Sequence, residues 1–187
     1  MKLIETSLPD LLIVEPKVFE DARGYFFESY NSKMLLEQGI NDVFVQDNES
    51  KSSKNVLRGL HYQLAPYAQT KLIRVIAGCI LDVVVDIRKG SPTFGQHFSI
   101  ELSGDKKVQL FIPKGFAHGF SVLSDFTVVN YKCDVYYQPE AERGILYNDP
   151  DLNIDWKIDL ESAIVSSKDK VNPTLANAEL NFIYGKQ

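Results

Sequence analysis

The chain has 187 residues, 44% hydrophobic and 24% charged, which suits one globular domain able to bury its own core, or one domain (residues 1–187) with a short tail over 170–187. Its formal net charge of -5 excludes the broad basic face that a DNA or RNA polymer needs, while a few local Arg and Lys side chains still suffice for a small anionic ligand.

Residues 1–12 hold a short apolar stretch broken by Glu5, Pro9 and Asp10. That pattern is neither a secretory signal nor a membrane span, so a cytoplasmic location without membrane contact is expected. Val14–Phe19 and Tyr25–Tyr30 read as strands flanking the turn Asp21-Ala22-Arg23-Gly24. Ser32–Gln38 reads as a helix, with Asn31 or Ser32 as its cap and Gly39 as its terminator. From Cys79 to Ile87 the alternate residues Cys79, Leu81, Val83, Val85 and Ile87 form an apolar face, and Asp82, Asp86 and Arg88 lie on the other. Lys89-Gly90 then turns the chain. Phe98, Ile100 and Leu102 alternate next, followed by the turn Ser103-Gly104-Asp105, and Val108, Leu110 and Ile112 resume the pattern up to Pro113. Phe126–Tyr137 reads as one long strand, and short helical pieces are expected between Asp159 and the C-terminus. Many short strands with Gly and Pro turns define an all-β fold, foremost a cupin-type jelly roll with a few short peripheral helices. Cys79 and Cys133 both fall in apolar strand runs and are expected as buried, reduced thiols.

Three histidines are available for chemistry. His97 follows a Gly-Gln turn and reads as a surface residue. His61 lies in Arg58-Gly59-Leu60-His61-Tyr62-Gln63, where strand parity puts it on one face with Gly59 and Gln63. Gln69 and Lys71 follow shortly, and polar groups clustered in an apolar barrel require a reason. Pro113-x-Gly115-x-x-His118 is similar to the second cupin motif, whose histidine often binds metal. The first motif of metal cupins supplies His-x-His, but here that stretch reads His61-Tyr62-Gln63, and Gln is a poor ligand. No metal site is expected. Tyr131 and Tyr137, six apart in one strand run, share a face if no bulge intervenes. On its own, Asp169 reads as a solvated loop carboxylate.

The order of short motifs is more specific than any one of them. Asp21-x-Arg23-Gly24-x-Phe26-x-Glu28 is followed by Gln46-x-Asn48-x-Ser50, Leu57-Arg58-Gly59-Leu60-His61-x-Gln63 and Gln69-x-Lys71. Asp82-Val83-Val84-Val85-Asp86-Ile87-Arg88, Ser91-x-Thr93-Phe94-Gly95 and Gly115-Phe116-Ala117-His118-Gly119-Phe120 come next. Tyr137-x-Pro139-x-x-Glu142 and Asn148-Asp149 through Ile154-x-Trp156 complete the series. Together they resemble the dTDP-4-dehydrorhamnose 3,5-epimerase family from Leu12 to about Asp169. The resemblance implies a homodimeric cupin jelly roll that uses no cofactor and acts on a dTDP-linked 4-keto-6-deoxyhexose. It implies His61 as general base, Asp169 as the carboxylate paired with it, Lys71 near the substrate ketone and Tyr131 as proton donor. It places Arg23, Phe26, Glu28, Gln46, Asn48, Arg58, His118, Glu142 and Lys168 among the groups that hold the nucleotide sugar, and Tyr137 on the thymine. The N-terminal strand bearing Arg23, Phe26 and Glu28 is implied to reach a partner's site. Lys168 stands where similar sequences also carry Arg; the cation is kept and the bidentate geometry is not.

These roles agree with the chemistry. Removing a proton beside a ketone leaves an enolate, whose oxyanion needs a positive or donor group aimed at it, a task that suits Lys71. An imidazole titrates near neutral pH, and a carboxylate on its far nitrogen fixes the tautomer. Inversion needs a second acid, and a phenol such as Tyr131 is protonated yet able to donate. Pyrophosphate accounts for Arg23, Arg58 and Lys168 in an acidic protein. No Gly-rich dinucleotide loop is present. Related readings are a single-carbon epimerase or a ketoisomerase, and, from another class, a non-catalytic carbohydrate-binding cupin. A metal-dependent cupin is disfavoured by Gln63.

Overall fold

Period-two alternation dominates the chain, and among the described residues fourteen strands and one α-helix result. The structure is a computed structural model, and it describes residues 1–185; the last two residues of the expected tail lie outside the described residues. In chain order the elements are β1 (Lys2–Glu5), β2 (Leu12–Glu15), β3 (Phe19–Asp21), β4 (Gly24–Phe26), α1 (Ser32–Glu37), β5 (Gln46–Ser53), β6 (Val56–Gln63) and β7 (Lys71–Ala77). They continue as β8 (Cys79–Asp86), β9 (His97–Ser103), β10 (Gln109–Ile112), β11 (Phe116–Val122), β12 (Phe126–Cys133), β13 (Glu142–Gly144) and β14 (Ile164–Val165). One sheet has the order β1-β2-β10-β7-β12-β5. The other has the order β13-β6-β11-β8-β9, with β14 parallel to β6. This is the jelly roll expected from the sequence. Among the described residues no helix is long and apolar enough to cross a membrane.

The two sheets face each other across a shared core. Ile73, Val75, Leu110, Ile112 and Val129 of the first meet Ile80, Val84, Leu102, Phe116, Phe120 and Val122 of the second, and Leu8 and Leu11 close one edge. The apolar face of Leu81, Val83, Val85 and Ile87 points away from this core. It packs with Leu57, Leu60 and Tyr62 against the C-terminal segment, through Ile145, Leu152, Trp156 and Phe182. Asp82 and Asp86 of the opposite face are therefore fully buried rather than solvated. Trp156 anchors the C-terminal segment: its indole N–H donates to the Tyr147 carbonyl (2.8 Å), and its own carbonyl accepts from Ser121 Oγ (2.6 Å). Truncating a buried Trp costs on the order of 3–5 kcal/mol, so this segment is firmly seated. Helix α1 covers the outer face of the first sheet, with Leu35 against Val14, Leu72 and Phe111. Asn31 Oδ1 caps it by accepting the Met34 N–H, as expected.

Several expectations change. The strand from Phe126 ends at Cys133, not at Tyr137, so Tyr131 and Tyr137 share no strand face. Asp134 accounts for the break: its carboxylate accepts from Thr70 N–H (2.6 Å) and pairs with Lys114 (2.9 Å), drawing the chain off the ladder. Of the strands expected at Val14–Phe19 and Tyr25–Tyr30, Val14 and Glu15 end β2, and the rest shrinks to a hairpin of two three-residue strands, β3–β4, around the expected turn; Pro16, which has no N–H to donate, separates β2 from β3. Strand β5 was not anticipated, because its sequence is polar throughout. The face argument for His61 also needs revision. A bulge opposite Gly119 interrupts β6, so Arg58 and His61, rather than Gly59 and His61, point inward. Gly59 has φ +124, and a Cβ there would lie 2.5 Å from Gly119 Cα, so glycine is required. His97 begins β9 opposite Val85 and is half-buried rather than a surface turn residue. Cys133 is buried, Cys79 is only partly so, and both thiols are free. Short 3₁₀ turns occur at Asp169–Val171 and Leu175–Asn177, in the expected region, and another at Pro139–Ala141.

Candidate active site

At one end of the jelly roll the inner faces of both sheets become polar. From the second sheet come His61 on β6 and His118 on β11, which are direct cross-strand partners. From the first come Lys71 on β7, Tyr131 on β12, and Gln46 and Asn48 on β5. The alternating inward residues of β5 are Gln46, Asn48, Ser50 and Ser52, which make its wall hydrophilic.

Each histidine is held by a carboxylate. His61 Nε2 lies 2.6 Å from Asp169 Oδ1, and the other oxygen of Asp169 accepts the Gly59 N–H at 3.3 Å, which the bulge turns toward it. Asp169 is buried in the C-terminal segment, although read alone in the sequence it looked solvated. Burial pushes its carboxyl upward, but the His61 bond and charge, the Gly59 N–H and Ser166 outweigh this and hold it below the usual carboxylate range. With Nε2 engaged, Nδ1 is the ring nitrogen of His61 left to accept a proton. On the other side of His61 stands Gly144 of β13. A Cβ at Gly144 would collide with the Asn172 amide, so the absent side chain lets the Asp169 segment close against β13. His118 Nε2 is bound by both oxygens of the fully buried Asp82, at 2.9 and 3.0 Å. Sequence reasoning assigned Asp82 no role; a carboxylate inside an otherwise apolar strand was the available signal.

Across the mouth, Lys71 Nζ lies 5.9 Å from the Tyr131 ring centroid. Burial lowers the Lys71 pKa, and the nearby Cys133, Glu142 and Asp82 only partly restore it. Burial raises the Tyr131 pKa, so the phenol stays protonated at neutral pH. Glu142 of β13 joins the two sides, since its charge acts on Lys71 and Tyr131 and His61 acts on it. Burial pushes Glu142 up, but hydrogen bonds from Lys168 and Tyr137 prevail and hold it low. Its Oε2 accepts the Tyr137 phenol at 2.7 Å and an ion-paired hydrogen bond from Lys168 Nζ. Gln46 Oε1 accepts the Tyr137 N–H (3.1 Å), Asn48 Nδ2 reaches Cys133 Sγ (3.8 Å), and Arg58 Nε donates to Ser52 Oγ (3.1 Å).

The structure thus gathers His61, Lys71, Tyr131, Asp169, Gln46, Asn48, Arg58, His118, Tyr137, Glu142 and Lys168 at one mouth. It leaves Arg23, Phe26 and Glu28 apart. They sit on or just after the exposed β3–β4 hairpin, where Arg23 pairs with Asp21 (2.5 Å) and Glu28 accepts from Asn31 (3.1 Å). Among the described residues no hydrogen bond or ion pair joins them to the mouth.

Among the described residues no group of three or more His, Cys, Asp or Glu side chains converges as a metal site. The donor set does not fit one: each histidine of the mouth already has a carboxylate on Nε2, and Gln63 gives its amide to the backbone. Exhaustive chelation is therefore expected to leave turnover unchanged. Activity lost to chelator and restored by a divalent ion would refute this.

A jelly roll with a carboxylate-held imidazole on one sheet and a phenol and lysine on the other is a cupin-type enzyme equipped to move protons at carbon. The model of the family described as dTDP-4-dehydrorhamnose 3,5-epimerase matches residues 5–177. The dTDP-4-dehydrorhamnose 3,5-epimerase of Shigella flexneri is 54% identical over 170 residues, covering 90% of this chain and 93% of that protein. A crystal structure of the enzyme of the same name from Elizabethkingia anophelis NUHP1 matches with a TM-score of 0.89 at 51% identity, covering 93% of this chain and 96% of that one. The dTDP-6-deoxy-D-glucose-3,5-epimerase of Legionella pneumophila Philadelphia 1, solved with dTDP-4-keto-L-rhamnose, matches with a TM-score of 0.94 at 49% identity and 99% coverage of both chains. The chain belongs to the dTDP-4-dehydrorhamnose 3,5-epimerase family, whose members are isomerases.

Proposed function

We propose that this enzyme inverts C3 and C5 of dTDP-4-dehydro-6-deoxy-D-glucose, giving dTDP-4-dehydro-L-rhamnose for dTDP-L-rhamnose synthesis. The observation that carries the reading is the placement of His61 and Tyr131 on opposing sheets, which supports a sugar bound between them. His61 Nδ1 takes the proton from the carbon beside the ketone, and the C–H electron pair moves through the carbon skeleton onto the ketone oxygen. Asp169 stabilises the imidazolium. Lys71, with its lowered pKa, is a strong donor to the enolate oxygen. Tyr131 delivers a proton to the opposite face, the enolate collapses to the ketone, and solvent resets imidazolium and phenolate. Tyr137 stacks on thymine, while Gln46, Asn48, Arg58, His118, Glu142 and Lys168 hold the nucleotide sugar. The test is NMR of dTDP-4-keto-6-deoxyglucose with enzyme in deuterated water. Deuterium is expected at both C3 and C5 with inversion at each; incorporation or inversion at one carbon alone refutes the assignment.

The site is completed across a homodimer in this reading. Among the described residues the β3–β4 hairpin pairs with no other strand, and it exposes Phe19, Tyr25 and Phe26, the last at 67%, a patch suited to burial against a second copy. In this reading the partner's Arg23, Phe26 and Glu28 lie near the mouth. Residues 1–187 then act as one domain, in the cytoplasm. Mixing inactive Arg23→Ala and His61→Ala chains is expected to restore part of the activity, since one site of each heterodimer is intact. No recovery while subunits demonstrably exchange would rule out shared sites.

A further inference from the structure

Gln63 takes no part in the proton chemistry, yet it is buried (5% exposed) at the mouth. It stands where a metal cupin has its second histidine, and here the amide serves the backbone instead. Nε2 donates to the Tyr67 carbonyl (2.7 Å) and, at 3.5 Å, to that of Tyr136, while Oε1 accepts the Gln138 N–H (2.8 Å). Gln69 Nε2 donates to the Val135 carbonyl (2.8 Å). Residues 135–137 have left β12, and among the described residues they make no backbone–backbone hydrogen bond, so side-chain amides supply the partners that a neighbouring strand would otherwise give. The segment is pinned at 135, 136 and 138, and between those points it carries Tyr137. Tyr137 is 49% exposed; its phenol is tethered to Glu142 (2.7 Å) and its N–H to Gln46 (3.1 Å), and the backbone on either side is held by Gln63 and Gln69.

We propose that Gln63, supported by Gln69, is a positioning residue for nucleotide recognition. It holds segment 135–138 so that Tyr137 presents its ring to the base of the sugar nucleotide in a preset place. The inference rests on the reading of Tyr137 as the base-stacking residue. Its physical basis is preorganisation: a ring fixed before the ligand arrives need not be ordered at binding. Gln63→Met keeps the length and apolar volume of the side chain and strands the Gln138 N–H and the Tyr67 carbonyl.

Because dTDP carries the base and the diphosphate but not the 4-keto hexose, it is the probe. Loss of two neutral hydrogen bonds should raise the Kd of dTDP roughly tenfold. In turnover the defect should fall on KM for the sugar nucleotide far more than on kcat. In a Tyr137→Ala background the same Gln63→Met change should alter the Kd by less than about twofold, the signature of coupled residues. An equal loss in both backgrounds, or no loss with Tyr137 present, overturns the inference. If Tyr137→Ala itself leaves dTDP affinity unchanged, the base-stacking reading falls and takes the inference with it. Thermal unfolding checks that the variants are folded. Should Gln63→Met fail to fold, Gln69→Met, which removes one bond at the other end of the segment, runs through the same cycle with the same overturning outcomes.

Discussion

His61→Ala is expected to abolish both solvent deuterium incorporation and epimerised product, because proton abstraction precedes every other step. General acid–base groups contribute on the order of 10²–10⁴-fold, so a loss in that range should be plain in the NMR assay. The arrangement around Asp169 sharpens the expectation. Asp169 stays ionised at neutral pH, and an anionic oxygen on Nε2 keeps the ring proton there and the lone pair on Nδ1. Asp169→Asn replaces an oxygen by an NH₂ of almost equal size. If that group turns toward His61, it donates to Nε2 and drives the ring proton to Nδ1, the atom that must accept. Exchange and inversion should therefore fall together in Asp169→Asn, with dTDP affinity little changed. Wild-type exchange in His61→Ala would remove His61 from the role of base.

Most of this architecture was legible in the sequence wherever one strand face was apolar and the other was not. Strands β8 to β10 and helix α1 announced themselves through alternation and a cap. Strand β5 did not, for a reason tied to function: its inward face lines a polar pocket, so Gln46, Asn48, Ser50 and Ser52 leave no apolar signal to read. The long strand through Tyr137 failed because composition does not reveal that Asp134 is bonded to Thr70 and Lys114. The face of His61 was misjudged because one bulged residue reverses parity, and a bulge depends on the close approach of Gly59 and Gly119, which are far apart in the chain. Asp169 illustrates the same limit. Nothing in Ser166-Ser167-Lys168-Asp169 signals burial; only the seating of Trp156 and Phe182 on the outer face of β6 and β8 brings that segment to His61. The order of motifs nonetheless pointed to the same residues, because it reflects the folded site without having to solve it.

Tyr131→Phe should separate exchange from inversion. The substitution removes one oxygen and keeps the ring, which is half-buried against the core between the sheets, so packing is little disturbed. Tyr131 lies on the sheet facing His61, and its raised pKa keeps the phenol protonated and ready to donate at neutral pH. In the variant, His61 still abstracts and Lys71 still faces the enolate oxygen. The proton on His61 can exchange with solvent, because the imidazole keeps 32% of its side-chain surface open. Return of that hydron from the His61 side restores the original configuration and leaves deuterium behind. Incorporation without inversion is thus the expected product, with the loss of inversion on the order of 10²–10⁴-fold. Each alternative has its own outcome. If Tyr131 served only to pack the wall, inversion would proceed at the wild-type rate. If it were the abstracting base at one of the two carbons, exchange at that carbon would vanish along with inversion. Only a donor on the far face predicts deuterium at both carbons in the starting sugar and almost none in an epimer.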